Sequence, residues 1–114
     1  MSFLFEKLDV YNKSVDFAGN ICEITEQFQR GNYYLADQLN RASLSIPANI
    51  AEGNGRFTKA DKCNFFRISR GSAFECVPLV EICRRKKLIT SATSEKLRID
   101  IENISKMLSG LINI

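Results

Sequence analysis

The stretch SLSIPANIAEGNGRFTKAD, residues 43–61, decides how the chain is read. It carries one of the two prolines and two of the six glycines. These glycines grip a phosphate, form a catalytic turn, or reverse the chain between two helices. A nucleotide-binding glycine loop needs a preceding strand and the spacing GxGxxG or GxxxxGK. The segment AEGNGR, 51–56, has neither spacing, and no alternation of Val, Ile and Thr precedes it. The helical reading is therefore preferred. Gly53 is expected in the left-handed conformation that ends a helix, with Asn54 and Gly55 in a tight turn. Thr58 then opens the next helix by accepting from a first-turn amide, and Asp61 three residues on gives a weaker form of the capping box.

Upstream, Leu35, Leu39, Ala42, Ile46, Asn49 and Gly53 fall on one helical seam with Ile50 beside it. Pro47 deprives the Ser43 carbonyl of its amide partner and predicts a bend, which the hydroxyl of Ser43 or Ser45 can partly compensate. Asn49 is a polar amide on an apolar seam. It fixes register by finding a partner, contacts a ligand, or faces solvent.

Downstream, Phe65, Ser69, Ser72, Cys76, Val80 and Cys83 form a third-helix seam whose small residues, with Gly71 adjacent, permit close approach of another helix. Pro78 predicts a second bend, and RRKKL, 84–88, places four cations at the negative end of the helix dipole.

The flanking segments complete the pattern. Residues 5–29 are apolar at three- and four-residue spacing, with Gly31 as a stop and Asn32 as the cap of the second helix. Leu97, Ile101, Ile104, Leu108 and Leu111 alternate spacings of four and three. The fold class expected is all-α, an antiparallel up-down-up-down four-helix bundle forming one domain over 1–114. So thin a rod leaves surplus apolar side chains for an oligomer interface, with Phe3, Phe5, Phe57, Phe66 and Phe74 as candidates.

Composition narrows the chemistry. No apolar run approaches the ~20 residues that span a bilayer, and MSFLFEKLD lacks the basic start and long apolar middle of a signal peptide, so no membrane association and a cytoplasmic location are expected. Cys22, Cys63, Cys76 and Cys83 include no CxxC pair and read as buried thiols. The chain has no histidine, which removes Ser-His-Asp and Cys-His catalysis and any His-containing zinc site. The carboxylates show no ExxH or clustered ExxE pattern of a di-iron bundle. No enzyme activity, cofactor, metal or catalytic residue is expected. Glu75, between Phe74 and Cys76, is read as a partly buried carboxylate paired with Arg41 or Arg70.

Charge is uneven. Residues 56–87 contain nine basic and three acidic side chains, net +6, whereas residues 1–55 contain four and seven, net −3. Arg56, Lys59, Arg67 and Arg70 recur at helical spacing with Cys63 between them. Such a stripe contacts nucleic-acid phosphates, pairs with an acidic surface of a neighbouring subunit, or is simply solvated.

The run QLNRASLSIPANIAEGNGR, followed by FFRISRGSAFE and then RRKKLIT, resembles the four-helix-bundle proteins encoded in intervening sequences of bacterial 23S ribosomal RNA genes. The matching positions are Arg41, Ser45, Ile46, Asn49, Ile50, Ala51, Glu52, Gly53, Arg56, Gly71, Ser72 and Glu75. The resemblance implies a cytoplasmic bundle assembled as a ring-like homo-oligomer, a pentamer. A distantly related group comprises accessory subunits of diversity-generating reverse transcriptases, whose basic oligomer engages nucleic acid and the polymerase. RNA, DNA and a protein partner are accordingly the ligand classes to consider. No catalytic role comes with the matching positions. This chain departs from the pattern at Asn40, Cys76 and Pro78; the last bears on the straightness of helix three.

Overall fold

Thr58 acts as its sequence position predicts. In the computed structural model, which describes residues 2–114, its backbone is extended and its Oγ1 accepts from the Asp61 amide at 3.1 Å. That bond satisfies one of the orphan donors of a helix start. Four helices follow one another: α1 (Asp9–Thr25), α2 (Tyr33–Asn54), α3 (Lys59–Arg85) and α4 (Ser91–Ile112), with short 3-10 turns at Leu4–Lys7 and Arg30–Asn32. No strand occurs among the described residues. Each helix packs on its two neighbours in a closed ring, α1 on α2, α2 on α3, α3 on α4 and α4 back on α1, which is the arrangement of an up-down-up-down bundle. The molecule measures 44 × 28 × 19 Å.

One continuous core runs down the ring. Phe17 and Ile21 of α1, Leu39, Ile46 and Ile50 of α2, Val80 of α3 and Ile104 and Leu108 of α4 are fully enclosed. Each such side chain contributes about 1.5–3 kcal/mol by leaving water. Cys63, Cys76 and Cys83 are buried thiols, and Cys22 is half-buried. Burial pushes the Cys76 thiol up to about 12, helped by the neighbouring Glu75 carboxylate, and raises Cys83 as well.

The α2–α3 seam is the tightest, and the reason lies in small and hydroxylated residues. Gly53 is buried inside α2, where an added Cβ would meet the Phe65 Cβ at 2.9 Å, the Phe66 Cε1 at 2.9 Å and the Lys62 carbonyl at 3.1 Å. Its φ is not positive. The expected left-handed stop is thus corrected: α2 continues to Asn54, and glycine is required at 53 because another helix lies against its Cα. Asn49 donates to the Ser45 carbonyl at 2.8 Å and to its hydroxyl at 2.9 Å, and that hydroxyl lies 2.9 Å from the one on Ser72. Ser69 donates across the same seam to the Ile46 carbonyl at 2.9 Å. Asn49 thus finds its partner within α2, and the bonds that cross to α3 are those of Ser45 and Ser69.

Both prolines sit inside unbroken helices. Neither candidate hydroxyl compensates Pro47: Ser43 donates to the Asn40 carbonyl at 3.1 Å and Ser45 faces Ser72. The first helix is shorter than the expected 5–29. Turn bonds from Gln27 to Ile24 and from Phe28 to Thr25 end α1, and this turn carries Phe28 into the core. Gly31 therefore stops no helix, and Asn32 stands at the start of α2 without a side-chain cap bond.

At the other end of α3, Lys87 occupies the left-handed region at φ 61°, with Lys87 N–H donating to the Arg84 carbonyl at 3.0 Å and Leu88 N–H to the Cys83 carbonyl at 2.9 Å. These bonds form a Schellman closure built on lysine where glycine is usual. Thr90 then caps α4 by accepting from the Thr93 amide at 3.1 Å. Of the phenylalanines expected at a surface, Phe66 is buried and Phe5 half-buried, while Phe3, Phe57 and Phe74 are exposed.

Candidate functional site

The four cations of the sequence stripe do not form one row. Arg56 lies in the α2–α3 turn, its Nη2 3.1 Å from Glu52 Oε2 and its guanidinium 4.6 Å from the centre of the Phe65 ring. Both partners of this ion pair are well exposed, so it contributes at most about 1 kcal/mol. Lys59 and Arg70, eleven residues apart on α3, face the end of α4, and Arg67 stands about 60–80° from them around the helix. Lys59 Nζ reaches the carbonyl of Ile114, and Arg70 Nη1 donates to Ser109 Oγ at 3.0 Å. Arg67 is exposed between them.

Cys63, expected among these cations, is buried beneath them with its thiol 3.6 Å from the Ile112 carbonyl. Helix α4 packs against that side of α3, so the middle of the line is core and only the cations reach water. Lys62, one position earlier, donates to the Asn54 carbonyl at 3.0 Å and so satisfies an orphan acceptor at the end of α2.

The matching residues have equally specific places. Arg41 is exposed and donates to Gln38 Oε1 at 3.2 Å. Glu52 is held by Arg56, and Gly53 and Asn49 belong to the α2–α3 seam. Glu75 is exposed, and both expected partners are engaged elsewhere, which corrects its reading as a paired, partly buried carboxylate. The physical reason is the helix turn: Ala73, Cys76 and Val80 face inward, and residue 75 stands about 100° away from residue 76. Apolar neighbours in sequence do not bury a helical carboxylate.

Two features were not singled out in the sequence. Glu81 receives Arg84 through two bonds of 2.9 Å and Arg85 through a third of 2.9 Å, and these guanidinium bonds hold its carboxyl down to about 2. The run RRKKL thus spends its arginines on Glu81. A carboxylate three and four residues before two arginines was the available signal. Between α3 and α4 runs a groove of about 910 Å³ lined by Phe74, Val77, Ser94, Arg98, Ile101 and Ser105. The hydroxyls of Ser94 and Ser105 are buried along it without a hydrogen-bond partner among the described residues. On the opposite side, Tyr11, Val15, Cys22, Leu44, Pro47 and Ala48 line an apolar recess of about 460 Å³ between α1 and α2.

Among the described residues no group of three His, Cys, Asp or Glu side chains is placed to hold a metal ion, and no helix is long and apolar enough to cross a membrane. The ion pairs among the described residues are Arg56–Glu52, Arg84–Glu81, Arg85–Glu81 and Lys106–Glu102. Arg67 and Arg70 belong to none of them.

No curated protein matches the chain. A crystal structure of a protein of unknown function from the S23 ribosomal protein family of Bacteroides thetaiotaomicron superposes with a TM-score of 0.87 at 28% identity, covering 92% of this chain and 99% of that one. The sequence profile of the 23S rRNA-intervening sequence protein matches residues 6–110. With a match over that length and the same helical fold, the chain belongs to the 23S rRNA-intervening sequence protein family.

Proposed function

We propose that this chain is a one-domain, non-catalytic binding module that assembles with copies of itself and holds RNA or DNA phosphates through Lys59, Arg67 and Arg70 on α3. The observation that carries the reading is the state of Arg67 and Arg70: cations on the basic helix that enter no ion pair among the described residues, with Arg67 open to solvent. A guanidinium outside any ion pair is what a phosphate contact requires, and Arg70, which donates one N–H to Ser109, keeps others for it. Arg56 contributes less, because Glu52 neutralises it. The resemblance to accessory subunits of diversity-generating reverse transcriptases supports a basic bundle oligomer engaging nucleic acid. Assembly is supported by the uncharged recess between α1 and α2 and by exposed Phe74 on the other side of the bundle. The pentamer is carried by the resemblance alone.

Titration of labelled RNA and DNA at several salt concentrations tests the reading. Each phosphate contact contributes a slope of about −0.9 in log K against log salt on duplex DNA, or about −0.7 on single strands. Arg67→Gln with Arg70→Gln is expected to reduce the slope by the equivalent of two contacts. Absence of binding at low salt, or an unchanged slope, would overturn it.

A second reading has its own observation. Arg56 is already paired with a carboxylate of α2, and the N-terminal half carries net −3 from four basic and seven acidic side chains. In that reading Arg67 and Arg70 pair with the acidic half of a neighbouring copy, and the assembly is structural.

A further inference from the structure

The fold brings together residues that are far apart in sequence at the end of the bundle opposite the α2–α3 turn. Tyr33 and Tyr34 open α2 and are 51% and 56% exposed. Lys86, 52 positions later, lies across Tyr34, its Nζ 3.4 Å from the phenolic oxygen and 5.8 Å from the ring centre. Immediately beyond it the α3–α4 connection walls a hollow of about 800 Å³, lined by Arg84, Arg85, Lys87, Thr90, Ser91 and Thr93. The arginines are fixed in place by Glu81, and Lys87 is held outward by the left-handed closure of α3.

These groups sort into two chemistries. The exposed rings offer π-faces, one of which already accommodates a cation. The hollow offers cations and hydroxyls alongside the apolar side chains of Ile24, Leu88 and Ile89. Aromatic faces beside a cationic track are what unpaired nucleotides bind, the base stacking on the ring and its phosphate following the cations. A duplex presents its phosphates but keeps its bases stacked inside, so it gains nothing from the tyrosines. Building on the nucleic-acid reading above, we infer that this corner, Tyr33, Tyr34, Lys86 and Lys87, is a stacking platform for unpaired nucleotides, separate from the phosphate contacts of Arg67 and Arg70. The platform makes the module selective for single strands, and the basic line on α3 adds affinity without selectivity.

The test uses the whole chain, a labelled single-stranded oligoribonucleotide and an RNA duplex of the same length. The chain has no tryptophan, so tyrosine emission reports stacking directly. Single strand is expected to quench that emission in the wild type. Tyr33→Leu with Tyr34→Leu keeps apolar bulk at exposed positions and is expected to weaken single-strand binding about 5- to 160-fold, as loss of one stacked base implies, while duplex binding stays within about twofold. Equal loss for both probes, or no loss for either, would overturn the inference. If the wild type binds neither probe at low salt, the nucleic-acid reading itself falls. If binding is present and responds only to Arg67→Gln with Arg70→Gln, that reading stands and this platform does not.

Discussion

Gly53→Ala offers the sharpest test of the packing. In an ordinary helix interior this change stabilises by about 1 kcal/mol, because alanine has the better helix propensity. At position 53 the new methyl would lie 2.9 Å from Phe65 Cβ and from Phe66 Cε1 and 3.1 Å from the Lys62 carbonyl. Two of these three atoms belong to or adjoin the α3 backbone, and the third sits on a buried ring, so relief requires α3 to move away from α2. Overpacking of this kind costs about 1–3 kcal/mol, and with three contacts the upper part of the range applies. After the propensity gain, the net expectation is a loss of about 1–2 kcal/mol. With roughly 2.1 cal/mol/K of unfolding entropy per residue, this lowers Tm by about 4–8 °C. Gly71→Ala is the internal control: its Cβ meets nothing within 4 Å, so the propensity gain should appear alone and raise Tm by about 4 °C. Thermal unfolding of both variants by circular dichroism gives the comparison. Opposite signs are expected; a Gly53→Ala variant as stable as Gly71→Ala would refute the close α2–α3 approach.

Other perturbations address single features. The folded Glu81 carboxyl is held at about 2, below the ~4.3 of a free glutamate, so its contribution is complete above about pH 4.3 and fades as pH falls through 2. Melts at pH 6, 4 and 2.5 should show a smaller acid loss for Glu81→Gln than for the wild type. Lys87→Gly removes the Cβ strain of φ 61° and should raise unfolding free energy in urea by about 1 kcal/mol; a decrease would argue against the left-handed closure. Ser94→Ala and Ser105→Ala each delete a buried hydroxyl without a partner, and should stabilise the chain by about 1 kcal/mol in the same assay.

Much of the architecture was legible because helix periodicity and capping act locally. Thr58 and the seam Leu97, Ile101, Ile104 and Leu108 appear where the spacing places them. The misreadings concern features that depend on a second helix. Gly53 looked like a stop because glycine supplies left-handed backbone; only the position of Phe65 and Phe66 makes it a contact point. Phe66 looked surplus until α3 was seen to rotate it inward, and Glu75 looked buried because its sequence neighbours are apolar. The basic line was legible as spacing, but its division was not. Arg56 leaves it because the turn at Gly55 returns it to Glu52, whereas Lys59 and Arg70 are aimed by contacts with the end of α4. Tyr34 and Lys86 are separated by 52 positions, and no local pattern joins them.

Charge reversal of Arg67 measures the central claim most directly, because the residue is exposed and enters no ion pair among the described residues. Light scattering of wild type and Arg67→Glu, each with and without added RNA, reports assembly and ligand binding in one experiment. The account predicts an unchanged protein mass without RNA and loss of the RNA-bound mass in the variant. A variant that dissociates before RNA is added, or that carries RNA as the wild type does, would contradict it.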